Sequence, residues 1–322
     1  MKRFLHNIFV FITLAVAASC QKEALETGMA AFVEYTVTVD DGLRTKAVSD
    51  DDAYVNQLVY EVWRTTSSDE EYVPSESLTL IYRGKVKMTS AGVTVPVKVI
   101  KNQNSRILFW AQDSTSRAYE ASDLRNVRLN ANNLKANKLN YTAFAGTDFL
   151  NWDNALQSRT IELERVVSQL NIATTDEGLK LGVATATDPK VVVIESSSVS
   201  VKGLSKTFDV ASMEAGEDDG QTIVYEGAPL TDQVQDYGSY GNVDYTYVSM
   251  NYLGFVPKGG TNIDVGYRLV TNVGEIANTV LNVPVKPNYR TNIFGNLISQ
   301  SEGYTVTLNN VWTSANAVDL EN

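Results

Sequence analysis

The chain has 322 residues, of which 43% are hydrophobic and 20% charged, and its formal net charge is −11. A composition this apolar can build buried cores, which excludes disorder throughout the chain. The acidity argues against nucleic acid as a partner, because phosphate contacts require clustered Lys and Arg side chains. The length predicts about two domains of ~150 residues each.

The first twenty residues, MKRFLHNIFVFITLAVAASC, have the pattern of a secretory signal peptide. Two basic residues precede an apolar run that ends at Ala18 and is too short for a permanent membrane-spanning helix. The small residues before Cys20 resemble a bacterial lipobox, in which the cysteine thiol receives lipid. We therefore predict a signal peptide over residues 1–19, a lipidated tether over 20–28 and attachment to a membrane surface through Cys20. Ordinary signal cleavage beside an incidental cysteine is the alternative.

Cys20 is the only cysteine and His6 the only histidine, and both belong to this leader. The rest of the chain can therefore hold no disulfide, no Cys or His metal site, no Ser-His-Asp triad and no cysteine nucleophile. No spacing among the acidic residues singles out a pair for acid–base catalysis. We predict no cofactor, no metal site and no catalytic residue, and we interpret the protein as a non-enzyme.

Most apolar segments after the leader alternate with polar residues, which is the period of a half-buried strand. The first segment of this kind places four apolar side chains on one face, namely Val33, Tyr35, Val37 and Val39. The last places three apolar side chains on one face, namely Tyr304, Val306 and Leu308. Both ends of the chain are therefore predicted to be strands that cover a core.

Three further segments depart from simple alternation. RILFW (106–110) and KVVVI (190–194) are continuous apolar runs, which predict central strands buried on both faces. IELERVVSQLNI (161–172) changes its apolar phase, and we interpret it as one strand with a bulge near Arg165. A helix is the alternative for this last segment.

Turn signals such as Asp41-Gly42 and Arg83-Gly84 recur between the apolar runs, as in antiparallel β-sandwiches. The tetrapeptide Val-Pro-Val-Lys occurs at Val95 and again at Val283, each time before an apolar strand. Together with the length, this repeat predicts an all-β protein with two tandem sandwich domains, over residues 29–150 and 151–322.

An isolated basic pair, Arg44 and Lys46, follows the first strand and is flanked by aspartates on both sides. Such a pair is a candidate site for a trypsin-like protease. The alternative is that both side chains only decorate a turn and stay uncut.

Several segments occur in a characteristic order: an early strand that ends at a basic site, then VNQLVYEVWR (55–64), RILFWAQDS (106–114), YTAFAGTDFL (141–150), IELERVVSQLNI (161–172) and KPNYRTNIFGNLIS (286–299). This order resembles the fimbrillin family, the lipoprotein pilins of type V pili in Gram-negative anaerobes. The resemblance implies two tandem transthyretin-like antiparallel β-sandwich domains after a lipoprotein signal peptide.

The resemblance also implies a function, that of a structural subunit of a cell-surface fimbria (pilus). Such a precursor is exported through the periplasm to the outer membrane as a lipoprotein, and an Arg- or Lys-specific protease then removes its first strand. A neighbouring pilin subunit fills the exposed groove with its C-terminal strand, and an uncut subunit acts as an anchor or accessory protein. A host or bacterial surface receptor is a further partner that the resemblance leaves open.

Mapped onto this chain, the resemblance assigns roles to four groups of residues. Cys20 would carry the lipid, and Arg44 or Lys46 would be the processing site. The occluding strand would present Val33, Tyr35, Val37 and Val39. The candidate donor strand would present Tyr304, Val306 and Leu308.

A surface glycan-binding lipoprotein is the alternative function. The segment DYGSYGNVDYTYVSMNY (236–252) is rich in tyrosine, and aromatic rings stack on sugars without needing charge. It contains five tyrosines, at Tyr237, Tyr240, Tyr245, Tyr247 and Tyr252. An exposed row of these rings on one face would favour this function, and burial of the rings in a core would oppose it.

Overall fold

The computed structural model describes residues 30–39, 55–74, 76–89, 91–152, 158–175, 194–227, 237–240, 243–272, 274–297, 304–309 and 317–318. Regular structure in these ranges is almost entirely β-strand, with two short 3-10 turns at Ala131–Asn133 and Leu139–Tyr141. The predicted all-β class is confirmed.

The described residues form 21 strands. Up to Arg165 these are β1 (Ala30–Val39), β2 (Gln57–Thr65), β3 (Leu78–Lys87), β4 (Val93–Ile100), β5 (Ser105–Gln112), β6 (Tyr119–Glu120), β7 (Val127–Leu129), β8 (Ala143–Leu150) and β9 (Arg159–Arg165). From Val167 onward they are β10 (Val167–Thr174), β11 (Ile194–Lys202), β12 (Thr207–Asp209), β13 (Glu214–Ala215), β14 (Ile223–Gly227), β15 (Tyr237–Tyr240), β16 (Val243–Phe255), β17 (Thr261–Thr271), β18 (Gly274–Val285), β19 (Arg290–Gly295), β20 (Tyr304–Asn309) and β21 (Ala317–Val318).

Seven of the nine strands before Val166 build one sheet, in the order β3-β2-β5-β8-β9-β1-β4. β8 and β9 are joined by only two residue pairs, Phe144 with Arg165 and Ala145 with Glu164. The sheet folds over at this narrow joint, so that β9-β1-β4 packs face to face on β3-β2-β5-β8, and the rings of Tyr35 and Phe109 meet across the core. Every residue of β5 is buried, as the run RILFW predicted.

The second half of the chain adds a six-stranded sheet, β15-β16-β10-β19-β20-β21, and a four-stranded sheet, β14-β11-β17-β18. Most pairs in the four sheets are antiparallel, but two are parallel: β1 with β9, and β10 with β19. Of the run KVVVI, only Ile194 lies within the described residues, where it begins β11 as a buried residue.

The segment IELERVVSQLNI does not form one bulged strand, so that prediction is wrong. The chain leaves β9 at Arg165, and after the single residue Val166 it enters β10 in a different sheet. The phase change in the sequence has this origin: β9 alternates between buried and accessible residues, whereas all of β10 is buried. A change of sheet explains the altered pattern.

The two halves of the chain are joined by a small sheet and by aromatic packing. The small sheet, β13-β12-β7-β6, takes two strands from each half. The ring of Trp110 lies 6.3 Å from that of Phe208 and 6.2 Å from that of Phe255, with Tyr119 beside them. The seven-stranded sheet draws on the chain as far as Arg165. The division into domains at residue 150 stays a prediction.

Candidate assembly site at the first strand

β1 separates its side chains cleanly by face. Val33, Tyr35 and Val37 point into the core and are at most 2% exposed. Phe32 points outward and is 64% exposed, and Thr36 on the same outer face is exposed too. This alternation follows from the period of two in the sequence AAFVEYTVTV. The strand therefore acts as a one-sided cover over the hydrophobic core.

β1 is an inner strand of its layer, with a ladder on each side. On one side it pairs antiparallel with β4 over eight residues, from Ala30 with Ile100 to Val37 with Val93. On the other it pairs in parallel with β9 over five residues, from Tyr35 with Arg159 to Val39 with Leu163. β4 is the last strand of the sheet, and β1 is its one neighbour in the sheet order of the described strands. Loss of β1 would thus leave β4 without a neighbouring strand in the sheet and would expose the unpaired backbone groups on one side of β9.

Tyr35 is the most heavily anchored residue of the strand. Its ring packs on Phe109 with 5.4 Å between centroids, and its hydroxyl donates a hydrogen bond of 2.7 Å to Asp148 Oδ2. The same oxygen accepts a 2.5 Å hydrogen bond from the guanidinium of Arg159 on β9. Burial, and then the neighbouring Asp148 carboxylate, raises the pKa of the Tyr35 phenol well above its ordinary range. Tyr35 therefore stays a neutral donor, held between the core and an ion pair.

The turn before β4 touches the backbone of β1. Gly92 has a φ of +94°, and a Cβ atom built there would lie 2.4 Å from the carbonyl oxygen of Val37. No residue with a side chain fits that approach, so glycine lets the Thr89–Gly92 turn close against the strand. This contact lies beside the end of the β1–β4 ladder, whose last pair is Val37 with Val93.

The four residues predicted for the occluding strand all lie in β1. Val33, Tyr35 and Val37 are buried, and Val39 is partly buried against the same core. Their role as a removable cover stays a prediction. Arg44 and Lys46 follow the end of β1 in the sequence but lie outside the described residues, as does Cys20.

The residues predicted for the donor strand lie in β20. This strand pairs antiparallel with β19 over six residues, from Gly295 with Tyr304 to Arg290 with Asn309, and it also pairs with β21. Val306 and Leu308 are only partly buried here, while Thr307 between them is 2% exposed. Whether β20 is donated to another chain stays a prediction.

Sequence reasoning missed Asp148 and Arg159. Neither stands out in its segment, and their separation of 11 positions gives no spacing signal, since the tertiary fold brings both to Tyr35. One clue was available: a buried tyrosine hydroxyl requires a hydrogen-bond partner, so Tyr35 on the core face predicted an acceptor somewhere opposite.

The tyrosine-rich segment offers little support for sugar stacking. Tyr247 and Tyr252 on β16 are 2% and 5% exposed, so neither ring is available to a ligand. The side chains of Tyr237, Tyr240 and Tyr245 lie outside the described residues. Within the described ranges, no group of three His, Cys, Asp or Glu side chains is placed to hold a metal ion, and no helix is long and apolar enough to cross a membrane.

Comparison with known proteins gives one family and several distant structures. The model of a family of unknown function, DUF6562, matches residues 26–319. No curated protein matches the chain.

Among solved structures, the chain is similar to a candidate cell adhesion protein of Bacteroides eggerthii, with 12% identity, 88% of this chain and 96% of that chain covered, and a TM-score of 0.47. It is also similar to the fimbrial anchor protein Mfa2 of Porphyromonas gingivalis, with 10% identity, 88% and 99% covered, and a TM-score of 0.43.

Proposed function

We propose that this chain, which belongs to a family of unknown function, DUF6562, is a structural subunit of a cell-surface fimbria. In this proposal it reaches the outer membrane as a lipoprotein carried by Cys20. Cleavage at Arg44 or Lys46 then releases β1, and a strand from a neighbouring subunit takes its place. Assembly is the task of the protein, and no step of it requires catalysis by this chain itself.

One observation carries the proposal: β1 is an inner strand at the very start of the described chain, and a basic pair follows it in sequence. An inner strand near a terminus can leave after one cut without breaking the connections between other strands. Its departure exposes unpaired N–H and C=O groups on β4 and β9, which are costly unless another strand pairs with them. Strand addition from a second chain satisfies both edges.

The apolar groove that β1 would leave behind also favours the addition of a strand from another subunit. Each fully buried Val or aromatic side chain of β1 contributes about 1.5–3 kcal/mol of burial free energy, which is lost when the strand leaves. An incoming strand with the same alternation would restore that burial and both ladders at once. A cleaved subunit without a partner is therefore expected to be less stable than either the precursor or the assembled form.

Retention of β1 gives the runner-up function within the same proposal. An uncut subunit keeps its lipid and its own cover, so it can serve as an anchor or accessory protein at the base of a fimbria. N-terminal sequencing of the protein from the native cell surface separates the two. A start at Cys20 identifies the uncut form, and a start at Thr45 or Ala47 identifies the assembled form.

Limited proteolysis tests the proposal directly. Treatment with a limiting amount of an Arg/Lys-specific protease should first cut between residues 44 and 47, and the cut protein should then form a ladder of oligomers in native electrophoresis. The matched control is the double variant Arg44→Ala with Lys46→Ala, which should stay intact and monomeric under the same treatment. Cut protein that remains monomeric would contradict the proposal.

A further inference from the structure

The end of β1 and the whole of β20 carry a nearly identical hexapeptide, whose sixth residue follows the last residue of β1 in the sequence. Residues 35–40 read YTVTVD, and residues 304–309 read YTVTLN. The first four residues are the same, the fifth changes from Val39 to Leu308, and the sixth changes from an acid to its amide. The shared part of β1 covers the five residues, Tyr35 to Val39, that pair with β9.

The hexapeptide sequence buries its apolar side chains more completely at the position of β1 than at the position of β20. In β1 the valine at the third position is fully buried and the threonines beside it face away from the core. In β20 Thr307 is buried and Thr305 is exposed, while Val306 and Leu308 stay partly accessible, although Val306 still packs against the core. A strand that buries threonine and leaves valine and leucine partly accessible gains less from burial than the same sequence in the opposite facing.

The site left by β1 also selects a particular first residue. It offers the ring of Phe109 as a packing surface and the Oδ2 atom of Asp148 as an acceptor, held in place by Arg159. A tyrosine satisfies both, because it has a ring and a hydroxyl donor. Tyr304 is the only aromatic residue of the segment 304–309.

We propose that the Asp148–Arg159 pair sets the register of an incoming strand, and that this strand is residues 304–309 of a second copy of this chain with Tyr304 in the place of Tyr35. This inference rests on the proposed function, and it adds the alignment of the donor strand and the residues that select it. Val306 then takes the place of Val37, Leu308 that of Val39, and the strand runs in the same direction as β1.

The residues before the hexapeptide differ between the two segments. In this register Glu302 aligns with Val33, so an acid meets a position that β1 fills with an apolar side chain. Exchange should therefore be tighter for a Glu302→Val donor. The matched control is Ser301→Val, which aligns with the outward-facing Phe32 and should change little; equal gains from both would contradict the register.

Cross-linking between two chains tests the register. In β1 the hydroxyl of Thr36 lies 3.2 Å from that of Thr94 on β4, so the residues that replace them should be close enough for a disulfide. Both chains carry Cys20→Ser, which removes the only cysteine. The acceptor carries Thr94→Cys and is cut by the protease, and the donor carries Thr305→Cys with Arg44→Ala and Lys46→Ala. We expect a disulfide-linked heterodimer, identified by mass spectrometry.

The matched control places the acceptor cysteine at Lys98 instead. Lys98 pairs with Phe32, four residues from Thr36 along the strand, or about 13 Å, which is too far for a disulfide in the proposed register. Complexes that form but cross-link through Lys98→Cys, or through neither cysteine, overturn the register and leave the proposed function standing. Failure of cut acceptor and donor to associate overturns both.

The anchoring role of Asp148 has its own readout. Donor Tyr304→Phe keeps the ring and loses only the hydroxyl, so its affinity for cut acceptor should fall about tenfold, the lower end for a hydrogen bond to a charged group. On an Asp148→Ala acceptor the same substitution should have no effect. Donor Tyr289→Phe, outside the segment, is the control. A tenfold loss that persists on Asp148→Ala would contradict the pairing.

Discussion

The last five residues of β1 and the first five of β20 differ at only one position, and yet the two strands are held differently. β1 lies between β9 and β4, and its Tyr35 is fixed by a ring contact and a charged acceptor. β20 lies between β19 and the two-residue strand β21, with its apolar residues only partly buried. Local sequence therefore decides that a segment is a strand, while its neighbours decide which face is buried and how much free energy the burial contributes.

The largest expected effect is on the anchored end of β1. Tyr35→Ala removes a fully buried ring and its hydrogen bond, so the free energy of unfolding of the intact chain should fall by about 3–5 kcal/mol. Phe32→Ala on the outer face of the same strand should change it by less than about 0.5 kcal/mol. Denaturant unfolding followed by tryptophan fluorescence measures both, and equal losses would show that β1 does not cover a core.

A second effect compares the two copies of the hexapeptide at the same position. Val37→Ala deletes methyl groups from a fully buried site and should cost about 2 kcal/mol in unfolding free energy. Val306→Ala acts at a partly buried site and should cost under about 1 kcal/mol. The same unfolding measurement applies. A larger loss at Val306 than at Val37 would reverse the comparison.

A third effect is the pH dependence carried by the Tyr35 hydroxyl. Its raised pKa means that the folded state binds this proton more tightly than the unfolded state, so the stabilisation is complete below about pH 10 and is lost as pH rises further. Tyr35→Phe should be less stable than the parent by about 1.5 kcal/mol at pH 7. The gap should close by about 1.4 kcal/mol per pH unit above pH 10, and a constant gap from pH 7 to 11 would contradict the assignment.

The smallest effect is expected on the outward threonines. Thr36 contacts Thr94 across the ladder at an exposed site, and Thr305 is exposed on β20. Thr36→Ala and Thr305→Ala should each change the unfolding free energy by less than about 0.5 kcal/mol. A loss above 1 kcal/mol at Thr305 would mean that β20 is held more firmly than its burial indicates.

Periodicity predicted much of this architecture because a strand exposes its period in the sequence. The sequence pattern predicted both the inner face of β1 and the full burial of β5. Three features could not be predicted from the sequence pattern. The change of sheet at Val166 is decided by packing partners, the facing of β20 by its neighbours in space, and the Asp148–Arg159 pair by the tertiary fold that brings both side chains beside Tyr35.

The single residue between β9 and β10 has a mechanical consequence. Arg165 is the last residue of β9, and Val167 is the first residue of β10, which belongs to another sheet. Between them, the backbone N–H of Val166 donates a hydrogen bond to the carbonyl oxygen of Ala143. Only one residue separates β9 from β10, so no flexible linker lies between them to extend under a force along the chain. We expect such a force to act directly on the backbone hydrogen bonds of the two strands. Chains joined in series through such a junction would extend little under tension before a strand is torn out.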